Sequence, residues 1–167
     1  MINEYFSRIR RNHGLEHATL HVLAQRFPNT PLAGHSDSWG FWILGDIPLE
    51  NILEAAQNAL QRLQTGQKQL AVHPNCGTNF ATAGVFAGFS AWLVLAGVGN
   101  RWRDRLERLP LAIVLATLGV LVARPLGQIV QEKWTTSGTP EGLQIVSARL
   151  SRRGAIQAVR ILTRDQV

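Results

Sequence analysis

The sequence predicts an α+β membrane protein: a two-helix transmembrane hairpin joined to a small soluble domain of two helices and a short, mostly antiparallel sheet. Three observations carry this. The first is an uncharged apolar run, Asn79–Gly99, long enough to cross a bilayer core as a helix. The second is another apolar run, Leu109–Val130, interrupted by Arg124-Pro125 and able to span if Arg124 snorkels to the interface. The third is amphipathic and alternating patterning in everything that flanks them, the signature of a small packed core. Two buried central helices of a soluble protein are the competing reading. A chain of 167 residues has little material to cover two fully apolar helices on all sides.

Residues 2–27 read as one helix, with Ile2, Phe6, Ile9, Leu20, Leu23, Ala24 and Phe27 at helical spacing and Pro28-Asn29 as the stop. Leu32–His35 and Trp39–Leu44 read as strands about a Ser36-Asp37-Ser38 turn. Asp46 and Pro48 open a second helix, Leu49, Leu53, Ala56, Leu60 and Leu63 form its apolar face, and Gly66 closes it. Lys68–Val72 reads as a third strand. Trp102 and Trp134 stand where interfacial anchors belong, and Gly84 and Gly88 form a G-x-x-x-G expected to let the two spans approach. Asn100–Arg108 reads as the hairpin loop. Leu143–Leu150 and Ala155–Leu162 read as strands around Ser151-Arg152-Arg153-Gly154, joining the N-terminal strands in one sheet, since neither pair is large enough alone. The expected organisation is therefore 1–78 soluble and motif-bearing, 79–130 membrane hairpin, and 131–167 linker and C-terminal hairpin.

The net charge of +6 is spread over the chain, without a basic stripe interleaved with aromatics, so nucleic acid is not an expected partner. Anionic lipid headgroups account for the charge; the bilayer and a membrane protein partner or second copy are the expected partners. One cysteine forms no internal disulfide, and the polar stretch Asn3–His13 lacks the apolar core of a signal peptide. Both place the termini in the cytoplasm, at a plasma or thylakoid-type membrane. The arginines at 101, 103, 105 and 108 oppose that orientation under the positive-inside rule.

Two motifs carry chemistry. His13-Gly14-Leu15-Glu16-His17 sets two imidazoles four residues apart on a helix, on adjacent turns facing one point. At ~100° per residue, His13, Glu16 and His17 all fall within about 60° of the apolar stripe, where an ionised carboxylate needs a partner or a metal. His21 lies at the stripe margin, a rim position, and His35 has no special claim. His73-Pro74-Asn75-Cys76-Gly77 has the layout of a zinc-ribbon knuckle with His for the first Cys; Pro fixes the turn and Gly permits a left-handed residue that turns amides toward a thiolate. The competing readings are a buried His–Glu network without metal, and a plain cap and turn before a membrane helix.

His13-Gly14-Leu15-Glu16-His17-Ala18-Thr19 with His73-Pro74-Asn75-Cys76-Gly77-Thr78-Asn79 resembles an uncharacterised membrane-protein family of cyanobacteria and related bacteria. It is similar, more distantly, to the YqhQ-like family, whose H-G-A-E-H-K-T run has Lys where this chain has Ala18. The resemblance implies an integral membrane protein with paired His/Glu and His/Cys motifs, and no activity.

Three functions follow as expectations. In the first, His13, His17, His73 and Cys76 close a tetrahedral zinc site, Glu16 accepts from a ligand imidazole, and the protein is a scaffold, assembly or regulatory factor for a membrane complex. In the second, three of these ligands hold the metal and Glu16 is general base of a small membrane metallohydrolase or metallopeptidase, since H-x-x-E-H is the inverted metallopeptidase order. In the third, His17 or His73 is an axial ligand to a haem or pigment.

Overall fold

In the computed structural model, residues 2–99, 101–153 and 156–166 are described. Asn100 of the expected loop, and Gly154 and Ala155 of the expected C-terminal hairpin, lie outside the described residues. The chain forms two units, one of residues 1–73 and 132–167, the other of residues 74–131.

The first unit contains helix α1 (Ile2–Arg26), strands β1 (Ala33–Asp37) and β2 (Gly40–Leu44), helix α2 (Leu49–Gln64) and strands β3 (Leu143–Arg153) and β4 (Ile156–Asp165). The strands form one antiparallel sheet in the order β1-β2-β4-β3, so the two hairpins do join through β2 and β4. Alternation sets the faces: Phe41, Ile43, Val159 and Ile161 point inward and are fully buried, whereas Trp42 and Arg160, one residue along, point outward. Both helices cover the inner face. Leu15, Ala18, Val22 and Leu23 of α1 and Ile52, Ala55, Ala56, Ala59 and Leu63 of α2 complete the core. Asn12, fully buried, ties α1 to the sheet, donating to the Asp37 carbonyl at 2.8 Å and accepting from the Thr163 hydroxyl at 2.7 Å.

Four expectations for this unit are corrected. The core face of α1 runs through Leu15, Ala18, Leu20, Val22 and Leu23; Leu20 and Leu23 of the expected stripe are buried and Phe27 packs on the core, whereas Phe6 and Ala24 are exposed. The helix is covered on two sides along its middle, so apolar periodicity alone does not single out the sheet-facing side. The β1–β2 reversal falls at Ser38-Trp39 rather than Ser36–Ser38, because the Asp37 carboxylate takes the Trp39 amide at 2.7 Å. Lys68–Ala71 is a short 3-10 turn, not a strand. Finally, the strands β1, β3 and β4 run beyond their expected limits.

The second unit is an antiparallel pair, α3 (Gly77–Leu95) and α4 (Trp102–Val130), followed by a single wide turn, Gln131–Thr135, that leads back into the first unit. Helix α4 begins inside the expected loop, taking up Arg103, Arg105 and Arg108. The 19 residues of α3 span about 29 Å at 1.5 Å per residue, and both helices are long and apolar enough to cross a membrane. None of α3 is buried, and Phe80, Phe89, Trp92, Leu111, Ile113 and Leu121 are among many large apolar side chains left exposed. The close approach is not at Gly84 and Gly88, which have open space beside them. It is on α4, where a β-carbon at Gly119 would lie 2.9 Å from the Phe86 carbonyl oxygen and one at Gly127 would lie 3.1 Å from the Asn79 α-carbon. Gln131 donates to the Asn79 side chain at 2.6 Å, fixing the open end of the pair.

Candidate metal centre

Helix α1 supplies His13, His17 and His21 from successive turns, and the segment after the 3-10 turn supplies His73. The His13 and His17 rings lie 4.3 Å apart between centroids, His17 and His73 5.6 Å, and His21 and His73 4.9 Å. His17 is 2% exposed. Four imidazoles thus gather in the first unit, from positions far apart in sequence.

Main-chain carbonyls orient them. The His13 Nδ1 donates to the Thr135 carbonyl at 2.9 Å and the His17 Nδ1 to the Ala71 carbonyl at 2.8 Å. A carbonyl only accepts, so both rings are protonated at Nδ1 when neutral, and Nε2 carries the lone pair. The ligand nitrogens of the two lie within 4.8 Å of one another. His21 is set the other way round, its Nε2 donating to the Val72 carbonyl at 2.9 Å, which leaves the lone pair on Nδ1. Burial, and then the charge of His21, push the His73 pKa below the ordinary 6.5, so His73 stays neutral in neutral solution, the form a metal requires.

Gly14 explains how these acceptors reach the helix. A β-carbon there would fall 3.2 Å from the Ala71 β-carbon and 3.0 Å from the Ser137 carbonyl carbon. Both segments that hold the imidazoles therefore lie directly on α1 at this point. The second is fastened further: the Arg10 guanidinium donates to the Lys133 and Thr136 carbonyls at 2.8 and 3.1 Å, and the Ser137 amide donates to the Arg10 carbonyl at 2.9 Å. Sequence reasoning missed Arg10 and these carbonyls. One signal was present, a glycine in mid-helix, which costs about 1 kcal/mol relative to alanine and so marks a close approach.

Glu16 is 4% exposed. It packs on β1, where a β-carbon at Gly34 would meet its Cγ at 2.8 Å and its Cδ at 2.7 Å. The acceptors for the His13 and His17 Nδ1 protons are the main-chain oxygens of Thr135 and Ala71.

In the second unit, Cys76 caps α3, its sulfur accepting from the Thr78 amide at 3.4 Å, a position that favours negative charge. The Asn79 side chain donates to the Pro74 carbonyl at 2.7 Å and closes the turn. Gly77 is the first residue of α3 and is not among the glycines with positive φ; the expected left-handed residue is absent there because the helix itself aims its second amide at the sulfur.

Fold and site together define an α+β chain with an apolar helical pair and a histidine cluster preset by main-chain carbonyls. The chain belongs to the family described as Domain of unknown function (DUF6391), which matches residues 8–148. An uncharacterized protein of Picosynechococcus sp. is 34% identical over 143 residues, which cover 77% of this chain and 66% of that relative's length. No solved structure matches the chain.

Proposed function

We propose that the chain is an integral membrane protein crossing a plasma or thylakoid-type membrane twice, through α3 and α4, in which His13, His17, His73 and Cys76 close around one Zn2+. The zinc would lock the soluble segments that flank the hairpin, and the protein would act as a scaffold, assembly or regulatory factor for a membrane complex. The observation that carries the metal reading is the tautomer-fixing bond on each of His13 and His17, the outer-sphere arrangement that zinc-binding histidines use. His73 beside them supplies a third imidazole. Cys76 follows His73 by three residues, so its α-carbon is at most about 11 Å from that of His73. Three imidazoles and a thiolate form a structural zinc donor set.

The membrane reading is supported by the apolar side chains that cover α3 and α4 without burial, a surface too large for a chain in water.

The test is metal content of the full chain in detergent. About one zinc per chain is expected, lost in His73→Ala and in Cys76→Ala; full retention in both removes the knuckle from the site. Glu16→Gln is expected to lower zinc affinity or stability, with no activity to lose. A hydrolytic activity present in the wild type and abolished in that variant would instead assign the centre to catalysis.

A further inference from the structure

The sheet of the first unit has a face that neither α1 nor α2 covers, and that face is cationic. Register places His35, Trp42, Arg160 and Arg149 side by side across all four strands. Arg164 points the same way, two pairs along β4 from Arg160. His35, Arg149 and Arg164 are exposed. The Arg160 guanidinium lies 5.2 Å from the Trp42 ring centroid and donates to Asp37 at 2.7 Å. Arg149 stands directly opposite Arg160, and like charges directly opposite on a sheet face are destabilising. One carboxylate, that of Asp37, offsets the row.

We propose that this face docks on anionic lipid headgroups, with phosphate groups at the exposed Arg149 and Arg164, the Arg160–Asp37 pair beneath them and the Trp42 ring at the headgroup level. The choice of lipid over another anion rests on the membrane reading above. The first unit connects to the apolar helices at both Pro74 and Gln131, so insertion of those helices would hold it where headgroups far exceed any soluble anion in local concentration. Paired arginines match phosphate oxygens in geometry as well as charge.

The experiment titrates the full chain in neutral detergent with phosphatidylglycerol or phosphatidylcholine and counts bound lipid by native mass spectrometry. Phosphatidylglycerol is expected to bind, phosphatidylcholine not. Arg149→Gln/Arg164→Gln is expected to weaken phosphatidylglycerol about thirtyfold, equivalent to ~1 kcal/mol for each charge near an anionic surface. That variant keeps the Arg160–Asp37 pair and removes a repulsion, so it should fold; its melting curve checks this. Arg103→Gln/Arg105→Gln is the comparison for charge loss elsewhere. Equal phosphatidylglycerol affinity in wild type and Arg149→Gln/Arg164→Gln overturns the proposal. So does stronger binding of inorganic phosphate, an acidic peptide or an RNA oligonucleotide to the same residues. Alkaline carbonate extraction separates the two readings. A chain released by carbonate that still floats with phosphatidylglycerol vesicles through Arg149 and Arg164 loses the spans but keeps the sheet surface.

Discussion

Substitution of Gly14 by alanine opposes two effects of known sign. In a helix interior the change gains about 1 kcal/mol of propensity. Against this, the new β-carbon would stand 3.0 Å from the Ser137 carbonyl carbon and 3.2 Å from the Ala71 β-carbon, and closer still to the Ser137 oxygen. Those neighbours are main chain and a β-carbon, without flexible ends to swing aside. The Ser137 segment must lift, which breaks the Ser137–Arg10 main-chain bond and lengthens the His13–Thr135 bond. Two hydrogen bonds are worth about 1–3 kcal/mol together, and overpacking adds about 1–3 kcal/mol. After the propensity gain of about 1 kcal/mol, Gly14→Ala is expected to lose about 1–5 kcal/mol, centred near 3 kcal/mol. A chain of this size should then melt about 5–10 °C lower. The measurement is thermal denaturation in detergent with a chelator, so that metal does not contribute, with Gly88→Ala as the unhindered control. Zinc affinity, measured separately, should fall about 10–100-fold because the His13 imidazole loses its fixed acceptor. A Gly14→Ala protein as stable as wild type would refute the close contact and the account of how the imidazoles are oriented.

Gly119→Val is expected to loosen the α3–α4 pair by about 1–3 kcal/mol, since its side chain would enter the Phe86 main chain; Gly84→Val, with open space beside it, should be near neutral, and denaturant titration of the two variants compares them. The depressed His73 pKa predicts a pH dependence of the metal-free protein. The unfolded chain protonates this group near 6.5 and the folded chain only at lower pH, so the contribution is complete above 6.5 and is lost as pH falls below it; His73→Gln should flatten that slope. Asp37 behaves likewise in the acid range. Burial alone would raise its pKa, but hydrogen bonds from Arg160 and the Trp39 and Gly40 amides, with the Arg160 charge, hold it below 3.8. Its contribution should be present above 3.8 and lost on further acidification, and Asp37→Asn should show less acid sensitivity.

The elements were legible where local chemistry decides them. A long uncharged run admits few structures other than a helix, and the Pro48 start and Gly66 stop of α2 were matched within a residue or two. The C-terminal strands were legible as partners of the first pair because an isolated hairpin is marginal. Lys68–Ala71 was not, because the apolar Leu70 and Val72 suggest alternation, whereas the carbonyls of Ala71 and Val72 are drawn to His17 and His21. That is a tertiary effect with no local trace. The small-residue seam went to Gly84 and Gly88 for the same reason: a spacing motif says that close approach is possible, and the partner helix decides where it occurs. Within the histidine cluster, residue types and the helix face of His13 and His17 were legible. The packing of Glu16 on Gly34 was not, since it depends on a strand distant in sequence.

Helix α1 holds both connections to the apolar pair by the same chemistry. His17 and His21 bind the carbonyls of residues 71 and 72, just before the chain leaves the first unit. His13 and Arg10 bind the carbonyls of residues 133–136, just after it returns. On the proposed reading, His13 and His17 would hold the zinc, and their Nδ1 protons would then be more acidic and both carbonyl bonds stronger. Coupling of this kind is reciprocal: whatever orders the two connections must raise zinc affinity by the same factor that zinc raises their order. A partner that seats on the hairpin and straightens its connections would therefore tighten the metal without touching it.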